Sequence, residues 1–165
     1  MYCAWSYRFP MDSLLQSLKY GKQLLLATEL GRLMAEGIAA ENLLTPDFLV
    51  PVPLHPYRLY SRGFNQSLEI ARVVGKHLGV PLLKPHPRRS RNTRPQFSLG
   101  ARERKSNLEG AFCCPGHLNG ETVAIIDDIV TTGHTANELA KQLRMAGAAD
   151  VRLWACAQAR PGSQV

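Results

Sequence analysis

The sequence predicts an α/β fold around a mostly parallel central sheet. Three observations carry that prediction. Short apolar runs alternate with longer segments of helical period along the chain. Gly and Pro punctuate the junctions between them. One run, "VAII" at 123 to 126, is apolar at every position, as an inner strand covered on both faces must be.

Taken in order, "MDSLLQSLKY" and "KQLLLATELGRLMAEGIAAEN" place Leu14, Leu15, Leu18, Leu25, Leu26, Leu30, Leu33 and Met34 at near-helical spacing. They predict two helices broken near Gly21. "FLVPVPL", 48 to 54, predicts a short buried strand that ends among Pro51 and Pro53, because each proline removes a ladder donor. "SLEIARVVGKHLG" predicts a helix with Leu68, Ile70, Ala71, Val74 and Leu78 inward and Gly79 closing it. "VPLL" predicts a short strand. Residues 85 to 101 hold three prolines and no apolar period, which predicts a long loop. "AFCC", "PGHLNG" and "TVAIID" predict strand, turn, strand. "TANELAKQLRMAG" predicts a helix stopped at Gly147, and "VRLWACAQA" a final strand.

A length of 165 residues favours one structural domain. Within it, a helical segment at 1–45 leads into the main α/β body at 46–165. Apolar content of 45% and charged content of 20% are those of a globular protein. No stretch reaches the roughly 18 apolar residues of a membrane helix, so no membrane insertion is expected. "MYCAWSYRFP" lacks the apolar core of a signal peptide, and a cytoplasmic protein is expected. The four cysteines form no C-x-x-C pair. Adjacent Cys113 and Cys114 cannot chelate a metal alone, and all four are expected to be small buried hydrophobes. The net charge of +7 is unevenly placed: from 88 to 105, seven cations face the single acid Glu103. Such a segment attracts polyanions such as nucleic acid or phosphorylated metabolites, or else is a solvated loop.

The stretch "VAIIDDIVTTGHT", 123 to 135, carries the chemistry. Asp127 and Asp128 are expected at the carboxyl end of the strand, where ligands bind in open α/β sheets. Two buried carboxylates stay charged there only if a cation or hydroxyl donors face them. The vicinal hydroxyls of a sugar meet that need, and so does an ion-paired lysine or arginine. Gly133 allows a tight turn into the following helix, whose first amides and dipole attract an anion. Thr131, Thr132 and Thr135 add hydroxyls, and His134 contributes its backbone amide. Acids for hydroxyls beside a loop for phosphate describe ribose 5-phosphate.

The same stretch resembles the ribose-phosphate signature of type I phosphoribosyltransferases: apolar residues, two acids, two apolar residues, then T-T-G-x-T. "VPVPLHPYRLYSRGFNQ", 50 to 66, and "NTRPQFSLGARERKSNLEGAF", 92 to 112, narrow the resemblance to the ComF/GntX (competence protein F-like) family. It extends from about Leu14 onward. Family members commonly carry a cysteine-rich zinc ribbon ahead of the "LKY" segment; only Cys3 stands there in this chain.

The resemblance implies the type I phosphoribosyltransferase fold with a flexible hood, and binding of 5-phosphoribosyl-1-pyrophosphate (PRPP) with Mg²⁺. Asp127 and Asp128, the catalytic candidates, would take the ribose hydroxyls, with Mg²⁺ brought by PRPP and able to touch either acid. The 131–135 loop would take the 5-phosphate. Pro53, Leu54, His55 and Arg58 would meet the pyrophosphate, with Arg62 nearby. The hood would comprise Arg88, Arg89, Arg91, Arg94, Gln96, Arg102, Arg104 and Lys105. The implied activity is transfer of ribose 5-phosphate to an acceptor the sequence does not name. The alternative is a PRPP- or nucleotide-sensing accessory of DNA uptake that binds single-stranded DNA or the competence machinery without catalysis. A homodimer is compatible with either. Lys19 and Tyr20 match the family's "LKY" but receive no chemical role.

Overall fold

The computed structural model describes residues 1–21, 23–89 and 110–159. Its central sheet has four parallel strands in the order β1-β6-β5-β2: β1 (Tyr2–Ser6), β2 (Phe48–Pro51), β5 (Thr122–Val130) and β6 (Asp150–Gln158). The helices are α1 (Met11–Tyr20), α2 (Leu24–Ala40), α3 (Pro56–Arg62), α4 (Gln66–Leu78) and α5 (His134–Met145). A separate antiparallel pair joins β3 (Arg88–Arg89) to β4 (Phe112–Cys113). The expected α/β architecture with a mostly parallel sheet is therefore observed.

β5 lies inside the sheet, and its side chains alternate between two cores. Ala124 and Ile126 join the core formed with α1, α2 and α4, which includes Leu15, Leu18, Met34, Ile70 and Val74. Val123 and Ile125 join the other, formed with Leu139 and Leu143 of α5. Leu15 and Leu18 have no solvent exposure. Burying each contributes about 1.5–3 kcal/mol and fixes α1 against the sheet. Helices α2 and α4 approach closely at Gly31, where a Cβ would lie 2.8 Å from the Val73 side chain. Pro51 in β2 is tolerated because β2 is the last named strand on its side of the sheet, with only an isolated bridge at Leu49 on its outer side.

Several expectations change. The helical segment at 1–45 also contains β1, which pairs with β6 from Tyr2 opposite Trp154. "VPLL" yields a single bridge, Leu82 to Leu49. β4 pairs with β3 and not with β5, so no hairpin forms there. Only Cys156 is buried; Cys113 is exposed, and Cys3 and Cys114 are intermediate. A two-residue strand at a sheet edge covers one face only, which leaves Cys113 outside. No helix among the described residues is long and apolar enough to cross a membrane.

Candidate functional site

Because the strands are parallel, their carboxyl ends gather along one edge. Val52 N–H donates to Ile126 O at 2.9 Å, and Tyr7 N–H to Gln158 O at 2.8 Å, so the chain leaves the sheet there after β1 and β2. β5 runs further than expected. It continues to Val130 because β6 matches it residue by residue, Asp127 opposite Ala155 and Ile129 opposite Ala157. The two acids are thus the sixth and seventh of the strand's nine residues and do not lie beyond its end.

Both acidic residues are buried, Asp127 8% and Asp128 9% exposed over the whole residue. Asp127 Oδ1 accepts from the Ser67 hydroxyl at 3.2 Å and from the Asp128 amide at 2.9 Å. Asp128 Oδ1 accepts from the Ile129 amide at 2.9 Å. Asp128 Oδ2 lies 3.0 Å from Lys19 Nζ. That contact has an ion pair's distance without a hydrogen bond's angles, and Oδ2 accepts no hydrogen bond from the described residues. Burial holds the Asp127 carboxyl well above the usual carboxylate range; the Asp128 charge pushes it further, and Lys19 opposes the shift. Beneath them, burial raises the Cys156 thiol, as do both acids.

The 131–135 loop follows directly. Gly133 has φ +73°, a left-handed conformation that glycine adopts without strain, and it caps α5. As a glycine, Gly133 makes no side-chain cap hydrogen bond to the first-turn amides of α5. Thr131 and Thr132 are exposed, and Thr132 Oγ1 pairs with His134 Nδ1 at 2.6 Å. The loop therefore presents hydroxyls and amides beside the acids.

On the other side, Pro53 is buried and Leu54 half-buried. His55 caps α3: its Nδ1 accepts from the Tyr57 amide at 3.2 Å, with Pro56 in the first helical position. Burial lowers the half-buried Arg58 guanidinium, and neighbouring Arg62 adds to it. Arg89 is buried, with its guanidinium 5.5 Å from the centre of the Phe112 ring. Burial depresses it to about 10, Arg58 contributes in the same direction, and Asp127 opposes. Arg58, Arg89 and Asp127 are thus electrostatic neighbours. Arg88 is exposed. Arg91, Arg94, Gln96, Arg102, Arg104 and Lys105 lie outside the described residues.

Two site residues received no chemical role from the sequence. Ser67 is the second residue of α4, whose N-cap Asn65 accepts from the Leu68 amide and donates to Val52 O at 3.0 Å. Lys19 sits four residues after buried Leu15, on a helix face turned toward the core, and that spacing was its available signal. Tyr20 beside it lies under the Arg62 guanidinium at 5.5 Å, and Arg62 Nη1 donates to Gln66 Oε1 at 3.3 Å. Among the described residues, no group of three His, Cys, Asp or Glu side chains is placed to hold a metal ion.

No family model matches the chain. Individual relatives do. It is 32% identical over 160 residues to competence protein F of Haemophilus influenzae, across 93% of this chain and 70% of that protein. It is 36% identical over 152 residues to the DNA utilization protein YhgH of Escherichia coli, across 90% and 67%. It is 35% identical over 103 residues to competence protein ComFC of Streptococcus pneumoniae, across 62% and 44%. Among solved structures, it is similar to a purine phosphoribosyltransferase from Pyrococcus horikoshii with a TM-score of 0.47 and 15% identity, across 83% and 88%. With one third of its residues shared with competence protein F over most of both chains, this protein belongs to the competence protein F family.

Proposed function

We propose that the chain binds PRPP and transfers its ribose 5-phosphate to an acceptor, releasing pyrophosphate. The observation that carries this reading is the succession of two buried acids in β5 and a glycine-capped helix start a few residues later. Asp127 and Asp128 accept the ribose 2- and 3-hydroxyls. The loop from Thr131 to Thr135 takes the 5-phosphate through its amides and hydroxyls.

Transfer breaks the C1–oxygen bond of the sugar. The pyrophosphate leaves with the electron pair, and the acceptor's lone pair forms the new bond to C1 of an oxocarbenium-like ribosyl group. The chain's task is to hold the sugar, exclude water and stabilise charge on the leaving group. Arg58 and Arg89 face that charge, with Pro53, Leu54 and His55 shaping the loop. Among the described residues no group of three ligating side chains gathers here, and Mg²⁺ would enter with the substrate, bound to phosphate oxygens. The test is pyrophosphate release from PRPP and Mg²⁺ with a panel of bases, amines and nucleotides. Release with one acceptor supports transfer; none with any of them contradicts it.

A second reading draws on the relatives' names, competence and DNA utilization, together with the basic segment from 88 to 105. Here the pocket senses PRPP or a nucleotide, and the segment binds single-stranded DNA. Binding through phosphates weakens steeply with salt. Neutralising Arg88, Arg89 and Arg91 then abolishes DNA binding; unchanged binding excludes the segment.

A further inference from the structure

The geometry points to Lys19 as the built-in cation of the acid pair: its ammonium stands at Asp128 where a divalent metal ion would otherwise sit, so the two acids are hydroxyl acceptors and not metal ligands. Four observations converge on this. Lys19 Nζ lies 3.0 Å from Asp128 Oδ2, and both side chains are largely buried, at 16% and 13% exposure. Oδ2 takes no hydrogen bond from the described residues, so the lysine's charge is its principal compensation. Lys19 also acts on Asp127, where it is the favourable charge opposing burial and Asp128. Finally, α1 cannot easily withdraw. Leu15 and Leu18 are fully buried one turn or less away.

A cation already on the pair changes what the site recruits. Two adjacent carboxylates without one attract a divalent ion; with an ammonium in place, the net charge falls and a second cation is repelled. The oxygens that remain are acceptors set for neutral O–H donors. Lys19 is thus a positioning residue that acts through Asp128. The inference deepens the ribose-phosphate reading, on which the identity of those hydroxyls rests. The ion pair itself does not depend on it.

Titration of the full chain with Mn²⁺ alone, read by the electron paramagnetic resonance of the free ion, tests the inference without PRPP. Lys19→Met is expected to bind Mn²⁺ at least about tenfold more tightly than the parent. Lys19→Arg, which keeps the charge, is expected to behave as the parent. Adding Asp128→Asn to Lys19→Met is expected to abolish the gain. A lesion that merely loosens the fold would not create a metal site or be corrected by arginine. Lys19→Met binding no tighter than the parent overturns the inference. Should Lys19→Met not fold, the parent against Asp128→Asn decides: equal Mn²⁺ titrations support it, and a parent site lost with Asp128 overturns it. Failure of PRPP to bind would instead tell against the ribose-phosphate reading and leave the Mn²⁺ result standing.

Discussion

The hydroxyl of Ser67, at the start of α4, donates to Asp127 Oδ1 in β5 at 3.2 Å, across 60 residues of sequence. This bond joins a helix start to the acid pair and holds one carboxylate in a fixed orientation. Ser67→Ala removes a donor from a buried charge, which costs about 1–3 kcal/mol. Urea unfolding at neutral pH is expected to show that loss. No change would mean that Asp127 finds another donor.

Asp127 makes the stability of the fold pH-sensitive. Its folded carboxyl holds a proton more tightly than the unfolded one, chiefly through burial. The stabilising contribution is therefore complete at acid pH, below the unfolded value. It is lost as pH rises from about 4 through the raised folded value, because unfolding releases a proton in that window. Asp127→Asn retains an oxygen for Ser67 and has no charge to bury. Unfolding free energies across this range are expected to favour the variant increasingly toward neutral pH. A constant difference would contradict the assignment.

The apolar patterns told most about the fold. Four consecutive apolar residues before Asp127 marked β5, and the leucines around Gly21 marked the break between α1 and α2. What escaped was set by pairing across long separations. β1 mixes aromatic and polar residues and becomes a strand only because β6 offers an edge. The β3–β4 pair is too short to leave a period. The acids and the T-T-G-x-T loop were legible as a contiguous motif. The roles of Lys19 and Ser67 were not, since only the packing of α1 and α4 brings them to the acids.

Gly133 separates stability from binding. Its φ is +73°, and an added Cβ would meet nothing nearer than Asn137 Nδ2 at 3.9 Å. Gly133→Ala is therefore expected to cost about 1–2 kcal/mol of backbone strain without steric clash. Its Cβ also narrows the approach to the loop, so phosphate binding is expected to fall by more than the stability loss accounts for. Thermal unfolding and titration with ribose 5-phosphate measure the two separately. Intact affinity would place the phosphate elsewhere.

Arg58 adds to the burial that lowers the proton affinity of Arg89, a repulsion that an anion beside them relieves. Arg58→Ala and Arg89→Ala are each expected to weaken pyrophosphate binding by about tenfold or more, the scale of one charge-assisted hydrogen bond. Isothermal titration with pyrophosphate checks this, and unchanged affinity in both variants would remove the arginines from the site.

The central claim is that the acid pair of β5 holds ribose. Calorimetry with PRPP and Mg²⁺ on the parent and on the Asp127→Asn, Asp128→Asn double variant tests it directly. The parent is expected to bind, and the variant, its fold intact by circular dichroism, to lose about a hundredfold, the scale of two charged hydrogen bonds. Equal affinity in the two proteins, or no binding by the parent, would contradict it.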